Sequence, residues 1–436
     1  MTLLTDGAFL RIALPFMLST MTQPLMGAVN TAVMGQLPDA KYMAAVSLGA
    51  ILFNNLYWLF GFLRVSTTGY AAQAFGAQDN YQGMLAFFKP LVIAVVISAL
   101  CIILQRPIIA AYLALIAPAA DVAALCNEYY KILIWGAPFV LFNYVELGWL
   151  MGQTRIREAV WLQMSMNILN MILSWSFVFY WQWGIGGVAW ATLISQIYGG
   201  VLGGLLMHWH GHFDYGSLKP GEILSWSGFI GMLKVNANLM IRTACLLAVN
   251  NIMAAVGAAL GTVVLAANAV LLQIKDIMSY LIDGMANAAA IFTGKAVGQR
   301  SRQLFDATSA MTYKWLTVLA MLLMGAYWAG SSYFIRIFTD IAPVITLAEE
   351  YKYFVMLYPI CAGVGMVLYG AFCGATYTAP VRNMMLIALA VFYAAQYFLV
   401  PALGNGGLWL ALLAFMATQS VVLRLNMANL KRNFDK

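Results

Sequence analysis

Amides and hydroxyls recur at helical spacing inside stretches that are otherwise apolar. Asn167, Asn170 and Ser174 stand at i, i+3 and i+7, which puts them on one helix face. Thr192 and Gln196, four apart, share a face of the next apolar stretch, and Gln23 and Asn30, seven apart, share a face of the first. Further along, the polar residues are charged: Arg242, Lys275, Asp276 and Asp283. Inside a hydrocarbon layer a charged side chain costs roughly 2.5–3.5 kcal/mol on insertion scales, so each asks for a reason. Converging amides and hydroxyls form either a pocket for a proton carrier, a cation or a polar ligand, or the hydrogen-bond glue between helices. Buried charges form either a structural ion pair or a relay for protons or cations.

Other chemistries lack their residues. The nearest approach to a phosphate-cradling loop, Thr293-Gly294-Lys295-Ala296, has neither the leading glycine nor the hydroxyl after the lysine. No nucleophile elbow and no His-Glu-x-x-His pair is present. All three histidines fall in His208-Trp209-His210-Gly211-His212, which reads as an interfacial loop with Trp209 as its anchor. The five cysteines are scattered, with neither metal spacing nor a disulfide framework, and read as small apolar packing residues. The expectation is therefore a protein that is not an enzyme, with no metal and no cofactor. Uphill work would have to draw on an ion gradient.

The elements that position these residues are membrane helices. Of the 436 residues, 63% are hydrophobic and 9% charged, where a soluble domain carries charge on about a quarter. Apolar stretches long enough to cross a bilayer recur throughout, without the alternation of a barrel. Twelve spans are read, at roughly 8–36, 45–75, 86–105, 128–151, 159–181, 184–207, 228–257, 264–292, 312–338, 351–376, 381–400 and 405–427. Lys89, Arg155, Arg157, Lys219, Lys295, Arg300, Arg302 and Arg382 follow the even-numbered spans, and Lys431, Arg432 and Lys436 lie in the tail. Basic loops mark the cytoplasmic side, so both termini are placed there and the protein in a cell inner membrane. The net charge of +7 is thus a topology signal and no sign of nucleic-acid binding.

Depth follows from a rise of about 1.5 Å per residue. Asn30 lies about 33 Å along the first span. It shares the outer half of the membrane with Ser174, Thr192 and Gln196, so the first six helices are expected to build one polar pocket there. Arg242 lies about 21 Å into the seventh span and Asp276 about 18 Å into the eighth. Both are near the midplane and placed to pair. Asp283 shares the face of Asp276, Lys275 is expected to point elsewhere, and Glu146 is expected to reach water at the inner end of the fourth span. Pro15 and Pro24 each remove a backbone hydrogen bond from the first helix, permitting a kink that is either a static bend or a two-state element.

The chain also repeats itself. Shifted by 222 residues, Gly35 falls on Gly257, Ala44-Ala45 on Ala266-Ala267, Ala74-Phe75-Gly76 on Ala296-Val297-Gly298, and Gly148 and Gly152 on Gly370 and Gly374. Shifted by 220, Gly184-Ile185-Gly186-Gly187 falls on Gly404-Asn405-Gly406-Gly407. The expected organisation is an all-α membrane protein with an N-lobe of six spans (1–207), a cytoplasmic linker (208–227) and a C-lobe of six spans (228–436). Two related halves in a membrane imply a transporter that rocks around a site near the middle.

Several segments carry a family resemblance. Ile12-Ala13-Leu14-Pro15, Pro24-Leu25 and Val29-Asn30-Thr31-Ala32-Val33-Met34-Gly35 resemble the first helix of MATE multidrug exporters, particularly the DinF branch. Leu63-Arg64-Val65-Ser66-Thr67-Thr68-Gly69 with Ala72-Gln73-Ala74-Phe75-Gly76-Ala77, Leu147-Gly148-Trp149-Leu150-Met151-Gly152, Asn167-Ile168-Leu169-Asn170 and Leu281-Ile282-Asp283-Gly284 extend the resemblance over the whole chain. It implies twelve helices in two six-helix lobes forming a V. It also implies cation-driven export of amphipathic, often cationic drugs, and a first helix that bends at Pro15 when a carrier acid is protonated. The chain departs from the pattern at that acid. DinF-like proteins usually carry aspartate where Asn30 stands, often a second where Ser174 stands, and acids where Ala290 and Tyr369 stand, while Asn170 and Thr192 match the rest of the network.

Three readings of the amide are open: an engineered Asp→Asn change that mimics the protonated carrier, a natural asparagine with coupling moved to Asp276 and Asp283, or uncoupled facilitation. The expected function is a monomeric secondary multidrug exporter working by alternating access. Protons are favoured over sodium because the pocket offers no cage of anionic oxygens, and 26 methionines supply an adaptable wall for varied ligands. The alternatives are a lipid or lipid-linked precursor flippase, for which only Arg242 and Lys275 supply cationic charge, and a sodium-coupled exporter.

Overall fold

The computed structural model describes residues 4–35, 40–211, 216, 218–223 and 225–432. The backbone of the first helix is described through Gln23 and Pro24, but their side chains lie outside the description. Every regular element among the described residues is helical, as expected where no water is at hand for the backbone. In the first half these are α1 (Asp6–Gly35), α2 (Ala40–Leu59), α3 (Phe62–Ala77), α4 (Asn80–Ile103), α5 (Gln105–Ile116), α6 (Ala120–Leu133), α7 (Ala137–Gly152), α8 (Ile156–Trp175) and α9 (Gly184–Gly211). A short α10 (Pro220–Ile223) leads to α11 (Trp226–Leu260), α12 (Thr262–Gly298), α13 (Arg302–Phe338), α14 (Ala342–Gly374), α15 (Ala379–Leu403) and α16 (Asn405–Arg432). Eleven helical segments among the described residues are long and apolar enough to cross a membrane, and the 30-residue α1 makes up the twelve that the repeat requires.

The element bounds follow the repeat. The 262–298, 302–338 and 342–374 helices of the second half correspond at a shift of 222 to residues 40–76, 80–116 and 120–152. Each single helix of the second half is thus matched by a broken one in the first. The breaks are a turn at Phe60–Gly61, a junction at Leu104 and a 3-10 turn at Ile134–Gly136. The 37-residue α13 has a kink at Gly330, four residues beyond the equivalent of the second of these. Sequence reading made α2 and α3 one span because the short break leaves the apolar run intact, and missed α5 because its 12 residues are too few to cross a bilayer.

The turns repeat as well. Gln78, Thr154, Arg300 and Thr376 all take left-handed backbone with φ of 50–59°, and they pair at the same shift. Each follows a helix whose end is closed by a 6→1 amide bond: Asp79 to Ala74, Arg155 to Leu150, Ser301 to Ala296 and Tyr377 to Phe372, at 2.8–3.1 Å. Asp79 and Ser301 then cap the next helices through their side chains, accepting from Gln82 and Leu304 amides.

Residues form two compact units, 21–232 and 1–20 with 233–436. The division passes through α1, which is helical through both Pro15 and Pro24. In the first unit α3 packs on α7 where Gly148 and Gly152 remove side chains. A Cβ on Gly148 would stand 2.5 Å from the Arg64 carbonyl oxygen, and one on Gly152 2.7 Å from that of Thr68. In the second unit Gly370 and Gly374 of α14 meet the carbonyls of Ala286 and Ala290 on α12. These four carbonyls are themselves related by the 222-residue shift. An aromatic core of Phe53, Tyr57, Tyr129 and Tyr130 joins α2 to α6 in the first unit. In the second, the early turns of α1 dock through Phe9 on Phe292, Met17 over Gly284 and the Thr20 hydroxyl on the Tyr280 carbonyl at 3.0 Å.

The connector before α11 is pinned electrostatically. Tyr81 donates to the Glu222 carboxylate at 2.7 Å, and Lys219 lies 3.5 Å from it. The Tyr81 hydrogen bond and then the Lys219 charge hold that carboxyl below the usual glutamate range. A depressed acid stabilises the folded state above its ordinary value and loses that contribution as pH falls through the lowered one. Hydrogen exchange in residues 218–223, corrected for intrinsic rate, is expected to accelerate on acidification. Glu222→Gln should be fast at all pH, and an equal acid response in both proteins would contradict the pin.

Candidate functional site

The first unit gathers its amides around Asn170 of α8. Asn170 Oδ1 accepts from Asn30 Nδ2 at 3.1 Å. Its Nδ2 donates to Thr192 Oγ1 at 3.1 Å and Ser195 Oγ at 3.3 Å on α9. Both hydroxyls spend their own protons on α9 carbonyls, Thr192 on Val188 and Ser195 on Ala191. They therefore present lone pairs, and this fixes the Asn170 amide as donor towards α9 and acceptor towards α1. Asn170 and Ser195 are buried, so satisfaction of their polar atoms matters. One acceptor is left over: Asn30 Oδ1 is buried with no partner. The network presents one open oxygen, at the position where the resemblance places an aspartate.

The other expected members stand apart from these bonds. Asn167, one turn before Asn170, donates to Thr22 at 2.6 Å and accepts from Gln163 at 3.5 Å. Ser174 Oγ is buried without a partner, just before a π-helical turn at Ser176–Tyr180. Gln196 Oε1 is likewise unpartnered and fills the space above Gly136, where a Cβ would collide with it. Ser195 and Thr22 were missed in sequence. A serine in a helix usually satisfies itself on its own backbone, and only its placement beside Asn170 shows a second use. Phe177 in the π turn stacks on Trp181, and both lie at a tilt to Trp183, with centroids 4.9–5.1 Å apart, and both tryptophans are half exposed, as an interface belt requires. His208 and Trp209 lie on the last turns of α9, which continues through Gly211, and not on a loop.

In the second unit the charges are arranged differently from the sequence expectation. Arg242 does not pair with Asp276. Its guanidinium lies over the Tyr369 ring, 3.7 Å from the centroid, with Nε lacking a hydrogen-bond partner. Asp276 pairs instead with Lys275, Nζ to Oδ1 at 2.7 Å. Consecutive helical positions diverge by about 100°, but the four-carbon lysine stem lets the ammonium swing sideways. The Lys275 stem is buried, its ammonium lies 5.7 Å from the Tyr358 ring, and the Asp276 carboxylate is 48% exposed. Ser279, one turn on, bonds the Tyr358 hydroxyl at 2.6 Å. Asp283 lies within electrostatic reach of Tyr280, Tyr358 and Tyr369. Where the resemblance places an acid, the face of Tyr369 takes the Arg242 cation.

The deepest polar set of this unit was not foreseen. Asn268 and Asn405 exchange two side-chain bonds at 2.7 and 2.9 Å, and Trp409 Nε1 donates to Asn268 Oδ1 at 2.8 Å. The registration of Asn405 with Ile185 was the available signal, since the first half is apolar there.

Comparison with known proteins agrees with this architecture. The family model described as MatE matches residues 15–176 and again 239–398, once in each half. The chain is 34% identical over 427 residues to DNA damage-inducible protein F of Escherichia coli (strain K12), covering 96% of this chain and 91% of that protein. It is 23% identical over 192 residues to the multidrug export protein MepA of Staphylococcus aureus (strain bovine RF122 / ET3-1), covering 44% of this chain and 42% of that one. In fold it is similar to an outward-facing multidrug resistance MATE family transporter of the MOP superfamily. The TM-score is 0.89 at 19% identity, over 98% of this chain and 97% of the other. Matched in both halves and over nearly its whole length, the chain is a multi-pass membrane protein of the MatE family.

Proposed function

We propose that this protein exports amphipathic, cationic drugs by alternating access, in exchange for protons, with both termini on the cytoplasmic side. The observation that carries the reading is the buried network of Asn30, Asn170, Thr192 and Ser195 with its open oxygen on Asn30. The names of the relatives supply multidrug export, and the amphipathic, cationic character of the drugs is what the family resemblance implies. Pro15 and Pro24 of α1 remain proposed as the points at which that helix bends. The oxygens around Asn170 are neutral and few, a poor site for a hard cation that needs six or so oxygen ligands, so the proton is kept as the coupling ion although these amides do not themselves titrate.

The test is ethidium transport in proteoliposomes with proton and sodium gradients imposed separately. A proton gradient alone is expected to drive efflux, and efflux driven by sodium alone would overturn the coupling ion. Asn30→Asp places a titratable acid at the open oxygen and is expected to raise proton-driven efflux about tenfold, which is about 1.4 kcal/mol of coupling. Equal efflux from both forms would remove position 30 from the coupling path.

A further inference from the structure

Glu146 was expected to reach water from the inner end of its span. It does not: the residue is 0% exposed, and neither carboxyl oxygen has a hydrogen-bond partner. It lies about 9 Å before the Gly152 end of α7 and rests on Gly203 and Gly204 of α9. A Cβ on Gly203 would overlap the carboxyl, so the glycines make its room. One turn earlier on the same face of α7, the buried Asn143 donates to Met166 Sδ at 3.3 Å. Gln196, with its own open oxygen, lies seven residues before Gly203 on the same face of α9, about 10 Å away.

The repeat shows that the fold does not need an acid here. The equivalents of Glu146 and Gly203 in the second half are Leu368 and Leu423, both buried. Where one half has a buried leucine at each of the two positions, the other has a lone carboxyl set against glycines. Such a group is costly and has no structural counterpart, which marks a function.

We propose that Glu146 is a proton-binding site of this protein: its carboxyl takes up and releases the proton exchanged for drug, in a half whose usual aspartate positions are Asn30 and Ser174. The inference rests on the proton-coupled reading above. Uptake converts carboxylate to neutral carboxyl and release reverses it, with no other bond changed. The titratable groups among the described side chains of the helices packed against α7 are Arg64 and Tyr70 on α3, Tyr81, Lys89 and Cys101 on α4, Arg157 and Glu158 on α8, and Tyr198 and His208 on α9, with Tyr144 on α7 itself. None of them hydrogen-bonds or ion-pairs with Glu146. The recess has no other charge with which to hold a metal cation, so a proton is the species that fits.

The experiment measures proton release on ethidium binding to the purified protein, with a pH indicator in weak buffer, beside proteoliposome efflux. Wild type is expected to release about one proton per ethidium bound. Glu146→Gln and Glu146→Leu are expected to bind ethidium, release none, and lose proton-driven efflux at least tenfold. Glu146→Asp is expected to retain part of both. Glu146→Leu copies the second half and should melt at or above the wild-type temperature, which a structural role would not allow. Undiminished proton release and proton-driven efflux in Glu146→Gln would overturn this site while leaving proton coupling intact. Absence of proton-driven efflux in wild type would overturn the coupling reading itself.

Discussion

Asn268→Leu is expected to destabilise the protein by about 2–4 kcal/mol, read as a fall in melting temperature by fluorescence-detected size-exclusion chromatography in detergent. The substitution removes three hydrogen bonds and leaves the Asn405 amide and the Trp409 indole N–H buried and unpaired. The cost comes from those orphans more than from the lost bonds, because each must be stripped of partners in a dry interior. The repeat supplies the rescue. Positions 268 and 405 correspond to Val46 and Ile185, both in the buried apolar cluster of the first half. Asn268→Val/Asn405→Ile should therefore recover most of the loss, and adding Trp409→Phe should recover more by removing the last orphan. A double variant no better than the single one would show that the amides hold geometry that apolar packing cannot replace.

Gly370→Val and Gly148→Val are expected to be nearly equal in effect, each costing upwards of about 3 kcal/mol or abolishing folded protein. In both, the added side chain meets a main-chain carbonyl on the facing helix, of Ala286 in one half and Arg64 in the other. A flexible side chain could turn aside, but a carbonyl inside a helix moves only with its helix. The helices must separate, and the seam's packing goes with them. Gly325→Ala, which meets nothing within 4 Å on α13, should instead be neutral or gain up to about 1 kcal/mol from helix propensity. Melting curves of the three variants side by side decide it. A well-folded Gly370→Val with an unstable Gly148→Val would show that the two seams are not equivalent.

What could be read in the sequence was what depends on the helix alone. Apolar length gave the spans, and the spacing of Asn167 and Asn170 gave their face. Asn30, Asn170 and Thr192 meet because three helices that each carry polarity at one depth also pack together. Depth is measured along one helix, whereas direction is settled between helices, and the misreadings fall on that line. Glu146 was placed near the end of its helix but given water, because the recess facing it is made by Gly203 and Gly204 on another span. Lys275 was turned away by counting residues around a helix, although a long side chain is not bound to the bearing of its Cα. Asn268 and Asn405 lie 137 residues apart, and nothing local in either joins them.

The paired glycine seams bear on how such a chain can change over generations. What each glycine touches is a carbonyl, a group that every residue carries whatever its side chain. The residues supplying it differ between the halves, Arg64 against Ala286 and Thr68 against Ala290, while the glycines meet the carbonyl in both. A duplicated gene fastened in this way inherits its shape through the main chain and leaves its side chains unclaimed. One copy could then acquire a lone acid while the other acquired an amide pair, without either mutation having to renegotiate the fold.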